Sequence, residues 1–136
     1  MLKHLPLFLT GIISGLIIYQ SAMIAPSINK LLSTQDASTY LRFIWPKFFL
    51  IIAFLSIVGA IIIQFSNQDQ SFAKIVFIVS FVLMLICFFA VPFMNDARDS
   101  GKQSLFFILH AASMIFTLIV LIINLLILIY WKYYTH

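Results

Sequence analysis

The stretch from Val91 to Trp131, VPFMNDARDSGKQSLFFILHAASMIFTLIVLIINLLILIYW, sets the densest charge cluster of the chain beside its longest apolar run. On an ideal helix advancing about 100° per residue, Gln103 lies about 20° to one side of His110. Thr117, Asn124 and Ser113 lie about 20°, 40° and 60° to the other side. The five polar residues therefore share one face, interrupted by Phe106 and Leu121. Ile108, Leu109, Ile115, Ile119, Ile122 and Leu126 occupy the opposite side. A helix in hydrocarbon must turn such a polar face toward other protein or toward water. The stretch reads as a charged surface loop followed by a membrane-spanning helix whose polar face looks into a bundle.

The rest of the chain agrees with that reading. Of 136 residues, 63% are hydrophobic and only 9% charged, against roughly 25% charged in an average soluble protein. Apolar stretches occupy about residues 5–26, 46–65, 73–94 and 105–131. Each has ~20 residues or more, which at ~1.5 Å per residue spans the ~30 Å hydrocarbon core. The expected fold is all-α: one integral membrane four-helix bundle over residues 1–136, with both termini on the same side. The apolar stretch from Leu5 to Ala25 is longer than the ~7–15 residues of a signal-peptide core, so it reads as a retained first helix. Cys87 is the only cysteine, which rules out an intrachain disulfide and suggests a packing thiol. The net charge of +4 is spread over ends and loops and forms no basic stripe, so nucleic acid is not an expected partner. Membrane lipids are.

Each span has a small or polar side. In the first, Thr10, Ser14, Ser21 and Ala25 align, widened by Gly11, Gly15 and Ala22, and Pro26 is placed to end or kink the helix. Ala53, Ser56, Ala60 and Gln64 share a side of the second span, and Ala73, Ser80, Met84 and Cys87 a side of the third. Between the first two spans, a short interfacial helix is expected. Ser33 or Thr34 caps it, and Tyr40, Leu41, Ile44 and Trp45 lie on the membrane surface beside Arg42 and Lys47. Pro46 then opens the second span. The link FSNQDQSFAK is a tight turn, Pro92 bends the third span into Asn95–Asp99, and Asp99 or Ser100 caps the fourth. Tyr130, Trp131, Lys132, Tyr133 and Tyr134 form an aromatic belt at the far interface. The loops after spans one and three carry Lys30, Arg42, Lys47, Arg98 and Lys102, against Lys3, Lys74 and Lys132 elsewhere, a balance that favours termini outside.

Two segments together resemble a known family. IAPSINKLLSTQDASTYLRFIWPKFF, Ile24 to Phe49, is similar to the APA…acidic or polar-A…FPRYF pattern of the transmembrane protein 205-like family. Val91 to His110, with its MNDARD and later LH, looks like that family's N-x-A-R-D followed by leucine-histidine. Pro26, Pro46, Asn95, Arg98, Asp99 and His110 stand at the recurrent positions. Ser27, Trp45, Lys47 and Phe48 replace the pattern's Ala, Phe, Arg and Tyr. The resemblance implies a small four-span protein of bacterial inner membranes or eukaryotic secretory membranes, with no agreed molecular activity.

For chemistry, Gln103, His110, Ser113, Thr117 and Asn124 are the candidate ligand-binding face, and Asn95, Asp96, Arg98 and Asp99 the candidate loop motif. The loop residues are expected to pair and cap helices; the alternative is selection of an anionic headgroup. His110 is a metal ligand only if haem binds, since no second His stands at helical spacing and no carboxylate lies within a span. No cofactor is expected. No Walker, Rossmann, zincin or Ser/His/Asp signature is present, and the balance leans away from an enzyme. The leading expectation is a protein that binds or passes a small apolar or amphiphilic molecule. The alternatives are a haem-linked or redox subunit using His110 and an accessory subunit of a larger membrane complex or homo-oligomer.

Overall fold

The computed structural model describes residues 2–66 and 69–133, and its helices form four rods. The first rod opens with a 3-10 turn, Leu2–His4, and continues through α1 (Leu5–Tyr19), a π turn (Gln20–Ile24) and α2 (Ala25–Leu31). The others are α3 (Thr34–Gln64), α4 (Ser71–Asp99) and α5 (Gln103–Tyr130), the last ending in a 3-10 turn, Trp131–Tyr133. All four rods are long and apolar enough to cross a membrane. α1 packs on α3, α3 on α4, α4 on α5 and α5 back on α1, so the rods close into an all-α bundle.

The prolines act differently from expectation. Pro26 has no N–H for the carbonyl four residues back, and the widened π turn just before it absorbs the mismatch, so the rod runs on to Leu31. The amphipathic segment beginning at Thr34 is helical, but it forms the first part of α3 instead of a separate interfacial helix, and Pro46 lies inside α3. Packing explains why the helix continues there. Trp45 stacks on Phe49 at 5.6 Å and meets Phe48 edge-on at 5.4 Å, and Ile52 continues the same buried stripe. Ending the helix at Pro46 would disperse that stripe, whereas keeping it forfeits one backbone hydrogen bond. Trp45 thus faces the core and not the membrane surface. Pro92 likewise lies inside α4, which runs on to Asp99.

Helix termini follow local chemistry. The Ser33 hydroxyl caps α3, accepting from the Asp36 amide at 3.1 Å and donating to the Asp36 carboxylate at 2.8 Å. Asp99 and Ser100 do not cap α5; its N-cap is Lys102, with no side-chain bond. They are instead drawn into a Schellman ending of α4. The Lys102 amide donates to the Ala97 carbonyl at 2.8 Å and the Gly101 amide to the Arg98 carbonyl at 3.3 Å, with Gly101 at φ +71°. At the other end the Asp69 carboxylate accepts from the Ser71 amide and hydroxyl, and Lys74 donates to the Gln64 side chain across the α3–α4 link. Asn67 and Gln68 of that link, and Tyr134 of the expected belt, lie outside the described residues. Trp131 is buried in the core, leaving Tyr130 and Tyr133 exposed at that end.

The core runs through Ile13, Ile17, Ile52, Phe77, Met84, Val120 and Ile127. At Gly59 an added Cβ would stand 2.5 Å from the Phe77 ring, so the glycine lets that side chain pack against the α3 backbone. Ala53, Ser56 and Ala60 are buried as expected, as are Ala73, Ser80, Met84 and Cys87, whereas Gln64 is exposed. The small strip of the first rod divides: Thr10 and Ser14 face the core, while Gly15, Ser21 and Ala22 face outward. At ~1.5 Å per residue, α3 and α4 are ~45 Å long, well beyond a ~30 Å hydrocarbon core, so their ends project past it.

Candidate functional site

The expected polar face of α5 is only partly assembled. Ser113, Thr117 and Asn124 are buried, but Gln103 and His110 are exposed. The buried positions of α5, from Thr117 through Val120 to Ile127, centre about 60° from the His110 direction, so His110 and Gln103 fall past the edge of the covered arc. This corrects the expectation that all five line the bundle interior. Within the core, Ser113 and Thr117 donate to carbonyls of their own helix, at 3.0 and 2.8 Å. Asn124 reaches across helices, its amide donating to the Ser80 hydroxyl at 3.0 Å and to the Val120 carbonyl at 2.8 Å. Asn124 Oδ1 and the Ser14 hydroxyl are buried without a hydrogen-bond partner. Asn124 therefore joins α5 to α4, while Ser113 and Thr117 satisfy themselves on their own helix. Ile108, Ile115, Ile119, Ile122 and Leu126 face outward as expected, while Leu109 is half-buried.

The loop motif assembles a second site at the end of the bundle where α3 starts and α4 ends. Asp99 does not pair with its neighbour Arg98. It accepts a two-pronged bond from Arg42, at 3.0 and 2.5 Å, which ties α3 to the end of α4. Beside this pair opens a cleft of about 520 Å³. Thr34, Gln35, Ser38 and Thr39 form its α3 wall, and Arg98 and Asp99 form the wall opposite. The Arg98 guanidinium lies 5.4 Å from the centre of the Phe106 ring, and Phe106 stacks in turn on the His110 imidazole, 5.7 Å centre to centre. Among the described residues Arg98 has no ion pair. Asn95 is half-buried and Asp96 exposed, and neither lines the cleft.

Charge explains the arrangement. The Arg42 fork neutralises Asp99, so the lining retains the single positive charge of Arg98. The positive end of the α3 dipole is already answered by Asp36 in its first turn. The pair joins residues 57 apart in sequence, which no local pattern announces. The signal available in the sequence was the polar row Thr34, Ser38 and Arg42 at spacing four, on the segment read as interfacial. A separate shallow groove of about 450 Å³ on the outer side of α4, lined by Val82, Ile86, Phe89 and Phe93, is apolar and faces where lipid would lie. No group of three or more His, Cys, Asp or Glu side chains placed to hold a metal ion occurs among the described residues.

Residues 8–103 match the model of a family described as Domain of unknown function (DUF4149), covering most of the chain and ending at the first residue of α5. No curated protein and no solved structure matches the chain.

Proposed function

The chain belongs to the DUF4149 family, a domain of unknown function, and we propose that it acts as a non-enzymatic four-span membrane protein that binds an amphiphilic molecule at one face of the bilayer. The observation that carries this reading is the polar cleft between the start of α3 and the end of α4, at one end of the bundle. A polar head held there leaves its apolar part in the surrounding lipid. The bundle interior supports the reading less well, because the Ser56, Ser113 and Thr117 hydroxyls bond to their own helices and its centre is filled by Ile52, Phe77 and Met84.

Kinship with transmembrane protein 205-like proteins and residence in the bacterial inner membrane belong to the same proposal. The order of the Ile24–Phe49 and Val91–His110 motifs supports them.

Native mass spectrometry of the protein released gently from its own membrane tests the binding. The expected spectrum carries an adduct of defined amphiphile mass that is lost in Arg42→Gln, which opens the cleft wall. A bare chain under conditions that preserve lipid adducts on other membrane proteins would remove the reading.

A further inference from the structure

We infer that the cleft selects its amphiphile by a phosphate group, with Arg98 as the recognising cation; this rests on the amphiphile-binding reading above. The cleft holds two guanidinium groups and one carboxylate. Arg42 spends both terminal nitrogens on Asp99, at 3.0 and 2.5 Å. Its remaining Nε is buried without a partner, behind the pair and away from solvent. Arg42 therefore positions the wall, and its charge is already answered. Arg98 lines the same cleft, is exposed, and has no carboxylate bonded to it among the described residues. Its guanidinium lies over the Phe106 ring, 5.4 Å from the ring centre, a contact that helps hold it at the cleft.

Opposite Arg98, the lining of α3 adds neutral hydrogen-bonding groups. Thr39 donates to the Gln35 carbonyl at 3.0 Å, so its proton is committed. The Thr34 and Ser38 hydroxyls and the Gln35 amide have no such bond among the described residues and line the cleft from the first turns of α3. A guanidinium fork, two hydroxyls and an amide form a donor set suited to a tetrahedral oxyanion. A carboxylate head would use only part of it. A cationic head would meet the uncompensated charge of Arg98, since Asp99 is already paired. The site lies at one end of the bundle, where the helices begin and end. The shared chemistry is a phosphate monoester or inorganic phosphate.

The test uses the full chain in maltoside detergent, with three probes: phosphatidic acid, diacylglycerol of the same acyl chains, and inorganic phosphate. Adducts are read by native mass spectrometry. Phosphatidic acid is expected to be retained about tenfold or more over diacylglycerol, the scale of one charge-assisted hydrogen bond. Arg98→Gln should bring the two lipids to near equality, and Thr34→Val should reduce the preference by a smaller factor. Both residues are exposed, and an unchanged thermal midpoint shows that each variant folds. Equal retention of the two lipids by the unaltered chain overturns the phosphate inference and leaves the amphiphile reading standing. An undiminished preference in Arg98→Gln overturns the assignment to Arg98. Inorganic phosphate that binds while neither lipid is retained keeps the phosphate chemistry, identifies a free anion as its source and overturns the amphiphile reading. Failure of all three probes to bind overturns both.

Discussion

Replacing Gly59 by alanine should destabilise the bundle, even though alanine is the better helix former. The added Cβ would stand 2.5 Å from one Phe77 ring carbon and 2.7 Å from two others, whereas relaxed carbon contacts lie at ~3.5–4.0 Å. Phe77 is 0% exposed, so the ring cannot swing outward and either it leaves its rotamer or α3 and α4 move apart. Overpacking of this kind costs about 1–3 kcal/mol. The helix-propensity gain of Ala over Gly returns about 1 kcal/mol. An overlap of about 1 Å against three ring atoms belongs in the upper part of that range, leaving a net loss of about 1–2 kcal/mol. Cys87, the single cysteine and 1% exposed, supplies the assay: a dye that fluoresces on reacting with a thiol reports unfolding as the protein is heated in detergent. At roughly 4 °C per kcal/mol for a chain of this size, the midpoint should fall by roughly 4–8 °C. Phe77→Leu removes the ring edge, so the Gly59→Ala/Phe77→Leu pair should be more stable than the sum of the single changes implies. A midpoint unchanged or raised in Gly59→Ala, or strict additivity in the double variant, would refute the reasoning.

Three further outcomes follow from the same structure. Ser80→Ala takes away an acceptor from the Asn124 amide and should cost about 0.5–1.7 kcal/mol. Asn124→Leu, which also removes the buried and unpartnered Oδ1, should be close to neutral or stabilising in the same thermal assay; a loss larger than that of Ser80→Ala would contradict this account. Gly101→Ala places a side chain at φ +71°, where no neighbour lies within 4 Å, so its cost is backbone strain alone, about 1 kcal/mol. Hydrogen exchange should show faster opening confined to the α4–α5 turn, and unaltered exchange there would count against the Schellman ending.

Composition and hydropathy sufficed for the class and number of helices, because hydrocarbon penalises every unpaired backbone group and admits few alternatives for apolar runs of this length. The inward sides of α3 and α4 were legible too: Ala53, Ser56, Ala60, Ser80, Met84 and Cys87 carry the period of one helix face, and that face is buried. Helix ends and continuity were not. Pro26, Pro46 and Pro92 are locally helix-breaking, yet each stands in a helical rod, since the backbone bond they forfeit is outweighed by packing such as that of Trp45 on Phe48 and Phe49. Asp99 shows the same limit from the side of charge: in sequence its nearest cation is Arg98, and in the fold its partner is Arg42.

The sequence by itself determined that this is a four-span helical membrane protein and that its α5 has one polar side. The tertiary structure alone decided which arc of that side is covered. A helix period gives relative directions around an axis, whereas burial depends on where neighbouring helices lie, and a rotation of about 60° left His110 and Gln103 outside while Asn124 went to the centre. It also decided that Arg42 and Asp99, 57 residues apart, would close on each other and leave the charge of Arg98 facing a cleft. Such a site arises from the meeting of two helix ends, and the contacts that make it exist only once the chain has folded.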